Sequence, residues 1–204
     1  EREKRYGGFE TDDREFTLSH LWEIEFLPDM PDPSERPCYE TAEENKQKAG
    51  CIELPKAKRV TEGNFTVISF SVSPDGNKVA FGHQPNPLIN SFIKADISVV
   101  DLADRKITAI VTNESSDAFE DWSPDSKEIL YNSNLNDSTS NFYTNSKLYA
   151  VNLSTKATRQ LARDLDEDLG GFSWQPTGIY ASIWNKTKRP LYRIDPITGN
   201  HAVV

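Results

Sequence analysis

The chain has 204 residues, 36% of them hydrophobic and 10% aromatic, enough to build a packed core in one or two domains. Its net charge of -9 and pI near 4.9 exclude the basic footprint that phosphate backbones demand, so nucleic acid is not an expected partner. No apolar run reaches the roughly 18 residues of a membrane-crossing helix, so no span is expected in this segment.

In chain order, residues 1–16 are polar and charged and read as an N-terminal arm. The Tyr6-Gly7-Gly8-Phe9 tetrapeptide within it matches an opioid peptide core and is taken as coincidence. The chain opens at Glu1 without a signal-peptide pattern and stops on Val203-Val204, so a processed or engineered segment of a longer protein is expected. Leu21 to Phe26 and Lys58 to Thr61 read as the two remaining strands of an incomplete unit, 17–62, split by an insertion over 27–55. Pro28, Pro31, Pro33 and Pro37 make the first part of that insertion a loop. Thr41 to Gly50 carries helix formers, acids early, lysines late and a closing glycine, which predicts a short helix. Cys38 and Cys51 bracket it. They are either bridged, which requires an oxidising compartment, or two unpaired thiols.

From residue 63 onward one pattern recurs. Phe70-Ser71-Val72-Ser73-Pro74-Asp75-Gly76, Glu120-Asp121-Trp122-Ser123-Pro124-Asp125-Ser126 and Phe172-Ser173-Trp174-Gln175-Pro176-Thr177-Gly178 set prolines at 74, 124 and 176. Serine followed by proline suits the first positions of a type I turn, so each copy predicts strand, tight turn and strand. The second strands are Lys78 to Phe81, Glu128 to Tyr131 and Ile179 to Trp184, and the third are Ile97 to Leu102, Leu148 to Leu153 and Leu191 to Pro196. Val100, Val151 and Ile194 occupy equivalent places in the third strands. Lys106 to Val111, Thr158 to Ala162 and His201 to Val204 supply weaker fourth strands. Four short antiparallel strands in each roughly 45–50 residues is the arithmetic of a propeller blade. The expected fold class is therefore all-β, a partial β-propeller of about three and a half blades: the incomplete unit, then 63–112, 113–163 and 164–204.

Two loops join second to third strands. Asn132 to Asn145 is polar, whereas Gln84 to Ala95 carries Leu88, Ile89, Phe92 and Ile93, and is expected either to fold back onto the sheet or to dock on another domain. Asn-x-Ser/Thr sequons at Asn64, Asn113, Asn136, Asn152 and Asn185 permit glycosylation and, with the cysteine pair, lean toward an extracytoplasmic location, secreted or periplasmic.

Chemistry is sparse. Gly171-Phe172-Ser173-Trp174-Gln175 comes near the G-x-S-x-G nucleophile elbow but ends in Gln, and Ser173 lies in a repeated strand where Ser71 and Asp121 stand in the sister copies. His20, His83 and His201 lack a partner at metal-ligand spacing. The run Asp164-Leu165-Asp166-Glu167-Asp168 reads as a solvated loop between blades, or as a site for a cation or an amino group. No catalytic, cofactor-binding or metal-binding residue is assigned, and no cofactor is expected.

The order Ser19-His20-Leu21-Trp22, Ser73-Pro74-Asp75-Gly76 with Lys78-Val79-Ala80-Phe81, Ile97 to Leu102 and Trp122-Ser123-Pro124-Asp125 resembles the propeller of the prolyl oligopeptidase family, most of all its acylaminoacyl-peptidase and dipeptidyl-peptidase branches. The likeness covers about residues 17–204. The family resemblance implies a serine peptidase whose propeller caps an α/β-hydrolase domain of the same protein, carrying a Ser-Asp-His triad, and admits short peptide substrates. The catalytic motif of that domain is not found in these 204 residues. Gln175-Pro176-Thr177 in place of Ser-Pro-Asp and the 27–55 insertion depart from the pattern. Propellers of the TolB type share the Ser-Pro-Asp-Gly turn, so a protein-binding scaffold is the alternative.

Overall fold

A computed structural model describes residues 16–26, 55–134, 145–167 and 169–204. The N-terminal arm apart from Phe16, the helix expected over 41–50, Cys38, Cys51, Asn136, Asp168 and most of the 132–145 loop lie outside the described residues. The chain divides into two compact units, His20–Glu62 on one hand and Glu1–Ser19 with Gly63–Val204 on the other.

In the smaller unit β1 (Trp22–Glu23) pairs antiparallel with β2 (Lys58–Arg59). Both strands are shorter than expected. The ladder is prolonged by Val60 donating to the Leu21 carbonyl at 2.8 Å and by Leu21 donating to Thr61 Oγ1 at 2.9 Å.

The larger unit holds three four-stranded antiparallel sheets, each built from consecutive strands. The first is β3 (Thr66–Val72), β4 (Lys78–Gln84), β5 (Asp96–Asp101) and β6 (Ile107–Val111). The second is β7 (Asp117–Trp122), β8 (Glu128–Ser133), β9 (Lys147–Asn152) and β10 (Thr158–Gln160). The third is β11 (Leu169–Gln175), β12 (Gly178–Ile183), β13 (Leu191–Ile194) and β14 (His201–Val203). The expected fold class, a partial β-propeller, is what the chain adopts. Val100, Val151 and Ile194 lie opposite Val79, Ile129 and Ile179 in the three sheets, and all six are buried.

The strand period of two distributes side chains between the layers. Along β8, Ile129 and Tyr131 join a core with Ala80, Ile97 and Val99 of the first sheet, while Leu130 between them joins a core with Ile179 and Ala181 of the third. The middle sheet is thus apolar on both faces, and aliphatic and aromatic side chains share both cores.

The repeated turns explain themselves chemically. Ser73 Oγ donates to Asp75 Oδ1 at 2.6 Å and accepts from the Lys78 amide at 3.0 Å, and the Gly76 amide closes onto the Ser73 carbonyl at 2.8 Å. Ser123 and Asp125 repeat this arrangement, with the Ser123 hydroxyl 2.8 Å from Asp125 Oδ1 and 2.8 Å from the Glu128 amide. The third copy lacks both side chains and turns differently. Gln175 pairs directly with Gly178, leaving only Pro176 and Thr177 at the tip. Gly178 takes φ +140°, where a Cβ would lie 3.0 Å from Arg193 Nε and 3.2 Å from the Ile194 carbonyl oxygen.

Because successive strands alternate in direction, the turns at Pro74, Pro124 and Pro176 all fall at one end of the three sheets. The links 85–95, 112–116 and 184–190 fall at the other, called the loop end below.

Candidate functional site

The first strands β3, β7 and β11 are the element that the repeat places side by side, and polar contacts tie them. Trp122 Nε1 donates to the Ser71 carbonyl at 3.1 Å, joining the second sheet to the first. Asp121 receives its neighbour Trp122 amide on Oδ1 at 2.8 Å and the Trp174 amide of β11 on Oδ2 at 2.7 Å, joining the second to the third. The equivalence of Ser71, Asp121 and Ser173 in the repeat thus has a structural meaning, with two of the three bonding a tryptophan of the next sheet. At the turn end the Asp75 amide donates to Ser126 Oγ at 3.1 Å, a third thread between sheets.

Ser173 itself stands opposite Tyr180 in the β11–β12 ladder and accepts a hydrogen bond from Gln175 Nε2 at 2.8 Å. It lies within a β-ladder and not on a strand-to-helix elbow. His83 Nε2 and Ser98 Oγ are 2.8 Å apart, but Ser98 is only 3% exposed and the His83 ring packs on Phe65 and Phe81. The His83 ring is half-buried, and that burial lowers its pKa. His20 faces Thr61 and His201 faces Asp164 at 3.3 Å. The three histidines therefore stand in three different settings. Among the described residues no group of three His, Cys, Asp or Glu could hold a metal ion.

Within the acidic linker Asp166 pairs with Lys147 Nζ at 2.7 Å, and Asp164 lies 3.3 Å from His201 Nδ1. Leu165 between them packs against the core of the second and third sheets. Among the sequons, Asn64 and Asn185 are exposed, whereas Asn113 donates to Asp117 at 2.9 Å and accepts from the Ser115 amide and hydroxyl at 2.8 and 2.6 Å.

Two carboxylates on β7 were not singled out by sequence reasoning. Burial pushes Asp117 up to about 6 against the pull of hydrogen bonds from Ser133 and Asn113, and the nearby Asp96 adds to the rise. Burial likewise pushes Glu120 up to about 7, opposed by the 2.9 Å bond from Asn132 Nδ2. The only sequence signal for them is three acids in a strand otherwise suited to burial. They can hold protons near neutrality, and the hydroxyl beside Asp117, that of Ser133, is fully buried.

The loop end carries a different kind of feature. The 84–95 link contains a 3-10 helix, Ile89–Lys94, none of whose residues is buried. Ile89 is 84% exposed and Phe92 48%, so these two side chains do not fold back onto the sheet. A groove of about 590 Å³ next to this helix is lined by Pro85, Ile93, Lys94, Asp96, Asn113 and Glu114. At the same end of the third sheet Trp184 is 60% exposed, with the Arg189 guanidinium 5.5 Å from its ring centroid. Sequence reading took Trp184 as a strand residue. The signal that distinguishes it is the run from Leu169 to Ile194, which holds Lys186, Lys188, Arg189 and Arg193 and no acid in a chain of net charge -9.

No protein-family model matches the chain, and no curated protein matches it. Solved structures do. TolB from Acinetobacter baumannii superimposes with a TM-score of 0.52 at 20% identity, over 72% of this chain and 34% of that one. Puromycin hydrolase, solved as its S511A mutant complexed with PGG, gives 0.54 at 16% identity over 72% and 23%. Porphyromonas gingivalis dipeptidyl peptidase 4 gives 0.55 at 12% identity over 72% and 26%. The chain thus spans about a quarter to a third of the length of these proteins. At such identities the likeness establishes the fold, a partial β-propeller shared by TolB and by peptidases of the family that the sequence resembles.

Proposed function

We propose that the chain is the non-catalytic propeller segment of a serine exopeptidase of the prolyl oligopeptidase type, capping an α/β-hydrolase domain outside these 204 residues and limiting entry to short peptides. The observation that carries the reading is the pairing of a peptidase-like propeller with a Ser173 held in a β-ladder, its hydroxyl bonded to Gln175. Acyl transfer needs a nucleophile, a base and oxyanion donors converging within hydrogen-bond reach, so the triad belongs to the partner domain. The propeller contributes by steric exclusion and by holding substrate ends near the triad. Its expected location is extracytoplasmic.

A second reading, a TolB-like propeller that binds a protein partner without catalysis, draws support from the TolB likeness over the same share of the chain. The test compares the full-length protein, residues 1–204 alone and full-length Ser173→Ala on short peptidyl and aminoacyl chromogenic substrates. Hydrolysis by the full-length protein and by Ser173→Ala, with none from the segment, is expected. Activity in the segment alone, or its loss in a folded Ser173→Ala protein, would refute the reading. An inactive full-length protein would favour the scaffold.

A further inference from the structure

We infer that the face of the third sheet turned away from the second is a binding surface for an extended acidic polypeptide segment, held at one point by Arg193 with Thr177 and Tyr180 and at another by Trp184 with Arg189. This goes beyond the function proposed above and holds for either reading of it.

Register identifies the face. Ile179, Ala181 and Ile183 of β12 lie in the core shared with the second sheet, so Tyr180 and Ser182 between them, with their cross-strand partners Arg193 and Leu191, belong to the opposite face. The pair Tyr180–Arg193 occupies the place of Ala80–Val99 in the first sheet and of Leu130–Ala150 in the second. Those four residues are buried, and they are what the first sheet presents to the second and the second to the third. At the same place the third sheet presents a half-buried phenol and an exposed guanidinium. A dry contact of the kind made by the other two sheets would bury that guanidinium without a counter-charge, a cost that apolar packing does not offset. An occupant that carries carboxylates removes the cost.

The Arg193 point is preorganised. Its Nε donates to the Thr177 carbonyl at 2.8 Å, and its side chain lies across Gly178, where a Cβ would stand 3.3 Å from Arg193 Cγ. Among the described residues its terminal guanidinium nitrogens have no hydrogen-bond acceptor, and the Thr177 and Tyr180 hydroxyls lie 3.1 Å from each other. Asp195 is within reach of the Arg193 charge, but that carboxylate closes its own turn, accepting the Ile197 and Thr198 amides at 2.9 and 2.7 Å. A planar fork anchored at Nε offers its outer edge to a carboxylate in bidentate fashion.

The second point lies further along the same strand. Trp184 is 60% exposed with the Arg189 guanidinium 5.5 Å from its ring centroid, and Asn185 and Lys188 exchange both backbone bonds, at 2.9 and 3.0 Å, closing the hairpin that carries Lys186 and Lys188. At about 3.3 Å per residue, Tyr180 and Trp184 are about 13 Å apart, which an extended segment spans with carboxylates about four residues apart. Leu191, opposite Ser182 and 45% exposed, offers an apolar contact between the two points. Charge selects the class of partner. Nucleic acid and anionic bilayers call for a broad basic face, whereas this chain of net charge -9 confines Lys186, Lys188, Arg189 and Arg193 to one acid-free run, a strip suited to a short acidic segment.

The test is fluorescence polarisation of a fluorescein-labelled decaglutamate peptide, blocked at both ends, with the full-length protein; decaglutamine, heparin and phosphatidylserine vesicles are the other probes. Decaglutamate is expected to bind at low salt and more weakly as salt is raised, and decaglutamine is expected not to bind. Arg193→Gln, Arg189→Gln and Trp184→Ala should each weaken binding at least about five-fold, Arg193→Lys should not restore it, and Lys106→Gln, which removes an exposed charge from the first sheet, should change it less than about two-fold. Arg189 and Trp184 are exposed hairpin side chains, so their variants keep the test decisive if Arg193→Gln loses its fold. Absence of decaglutamate binding at low salt, or an equal loss in Lys106→Gln, would overturn the surface. Binding of heparin or vesicles with none of decaglutamate would overturn the acidic polypeptide as its occupant.

Discussion

Asp121→Ala tests whether the sheets are held together at their first strands as the hydrogen bonds indicate. Asp121 is half-buried in β7 and accepts two amides, that of Trp122 at 2.8 Å and, across the interface, that of Trp174 at 2.7 Å. Removing the carboxylate leaves the amide of Trp174, a residue only 7% exposed, without its acceptor. Hydrogen bonds to a charged group contribute about 1.5–3 kcal/mol each, and partial rehydration of the Trp122 amide offsets some of the loss, so a net cost of about 2–3 kcal/mol is expected. For a domain of this size that is a fall in Tm of about 5–10 °C. Asp121→Asn keeps one acceptor and should lose roughly half as much. Ser173→Ala is the control, because its hydroxyl accepts an exposed bond from Gln175 and ties no second sheet, and it should cost under about 0.5 kcal/mol. The assay is thermal and urea unfolding of the three variants beside the parent. A Tm for Asp121→Ala within 1–2 °C of the parent, or a Ser173→Ala loss of equal size, would refute the claim that this carboxylate joins the second and third sheets.

Gly178→Ala should destabilise by about 1–3 kcal/mol, since it combines φ +140° with contacts to Arg193 and the Ile194 carbonyl, whereas Gly170→Ala, where a Cβ meets nothing within 4 Å, should be nearly neutral; urea midpoints decide between them. Arg159 grips Glu128 through two bonds of 2.7 and 2.6 Å and donates from Nε to the Pro196 carbonyl at 2.8 Å, so Arg159→Lys should not restore the roughly 1–3 kcal/mol lost by Arg159→Ala. The protein should lose stability as pH rises through neutrality. Asp117 and Glu120 have folded pKa values raised to about 6 and about 7, so the folded state binds these protons more tightly than the unfolded state. Their stabilisation is complete below about pH 4 and is lost as pH passes the folded values, with a slope of at most about 1.4 kcal/mol per pH unit for Asp117 and less for the more solvated Glu120. Urea unfolding from pH 5 to 8 should show this decline, and Glu120→Gln should flatten its upper part; a midpoint that rises over that range would contradict it.

Local features of the fold were legible in the sequence. The serine-proline repeats located the turns because a serine hydroxyl and an aspartate carboxylate close such a turn within a few residues, and where Gln175-Pro176-Thr177 lacks both groups the turn is tighter. The buried positions of Val100, Val151 and Ile194 follow from the same register. What could not be read is non-local. That Asp121 bonds Trp174 while its counterpart Ser173 does not depends on how two sheets stack, which no window of one strand encodes. The Ile89–Lys94 turn was recognised as too apolar for a plain loop, yet its outward direction is set by the Asn86 side chain, which holds the Leu88 amide and the Ser91 hydroxyl, and helical periodicity carries no trace of that. The burial of Asp117 and the partial burial of Glu120 come from neighbouring elements, which the sequence of one strand does not show. The strands around Trp22 and Arg59 contract to two residues each, because the match to the repeat there is carried by side-chain pattern alone and no paired turn fixes the register.

The central claim, that this propeller gates chemistry located outside it, is tested most directly by labelling the full-length protein with a fluorophosphonate probe and mapping the modified serine. The account predicts stoichiometric labelling of one serine outside residues 1–204, blocked by a short peptide substrate. Labelling of Ser173, Ser98 or any other serine within residues 1–204 would contradict it.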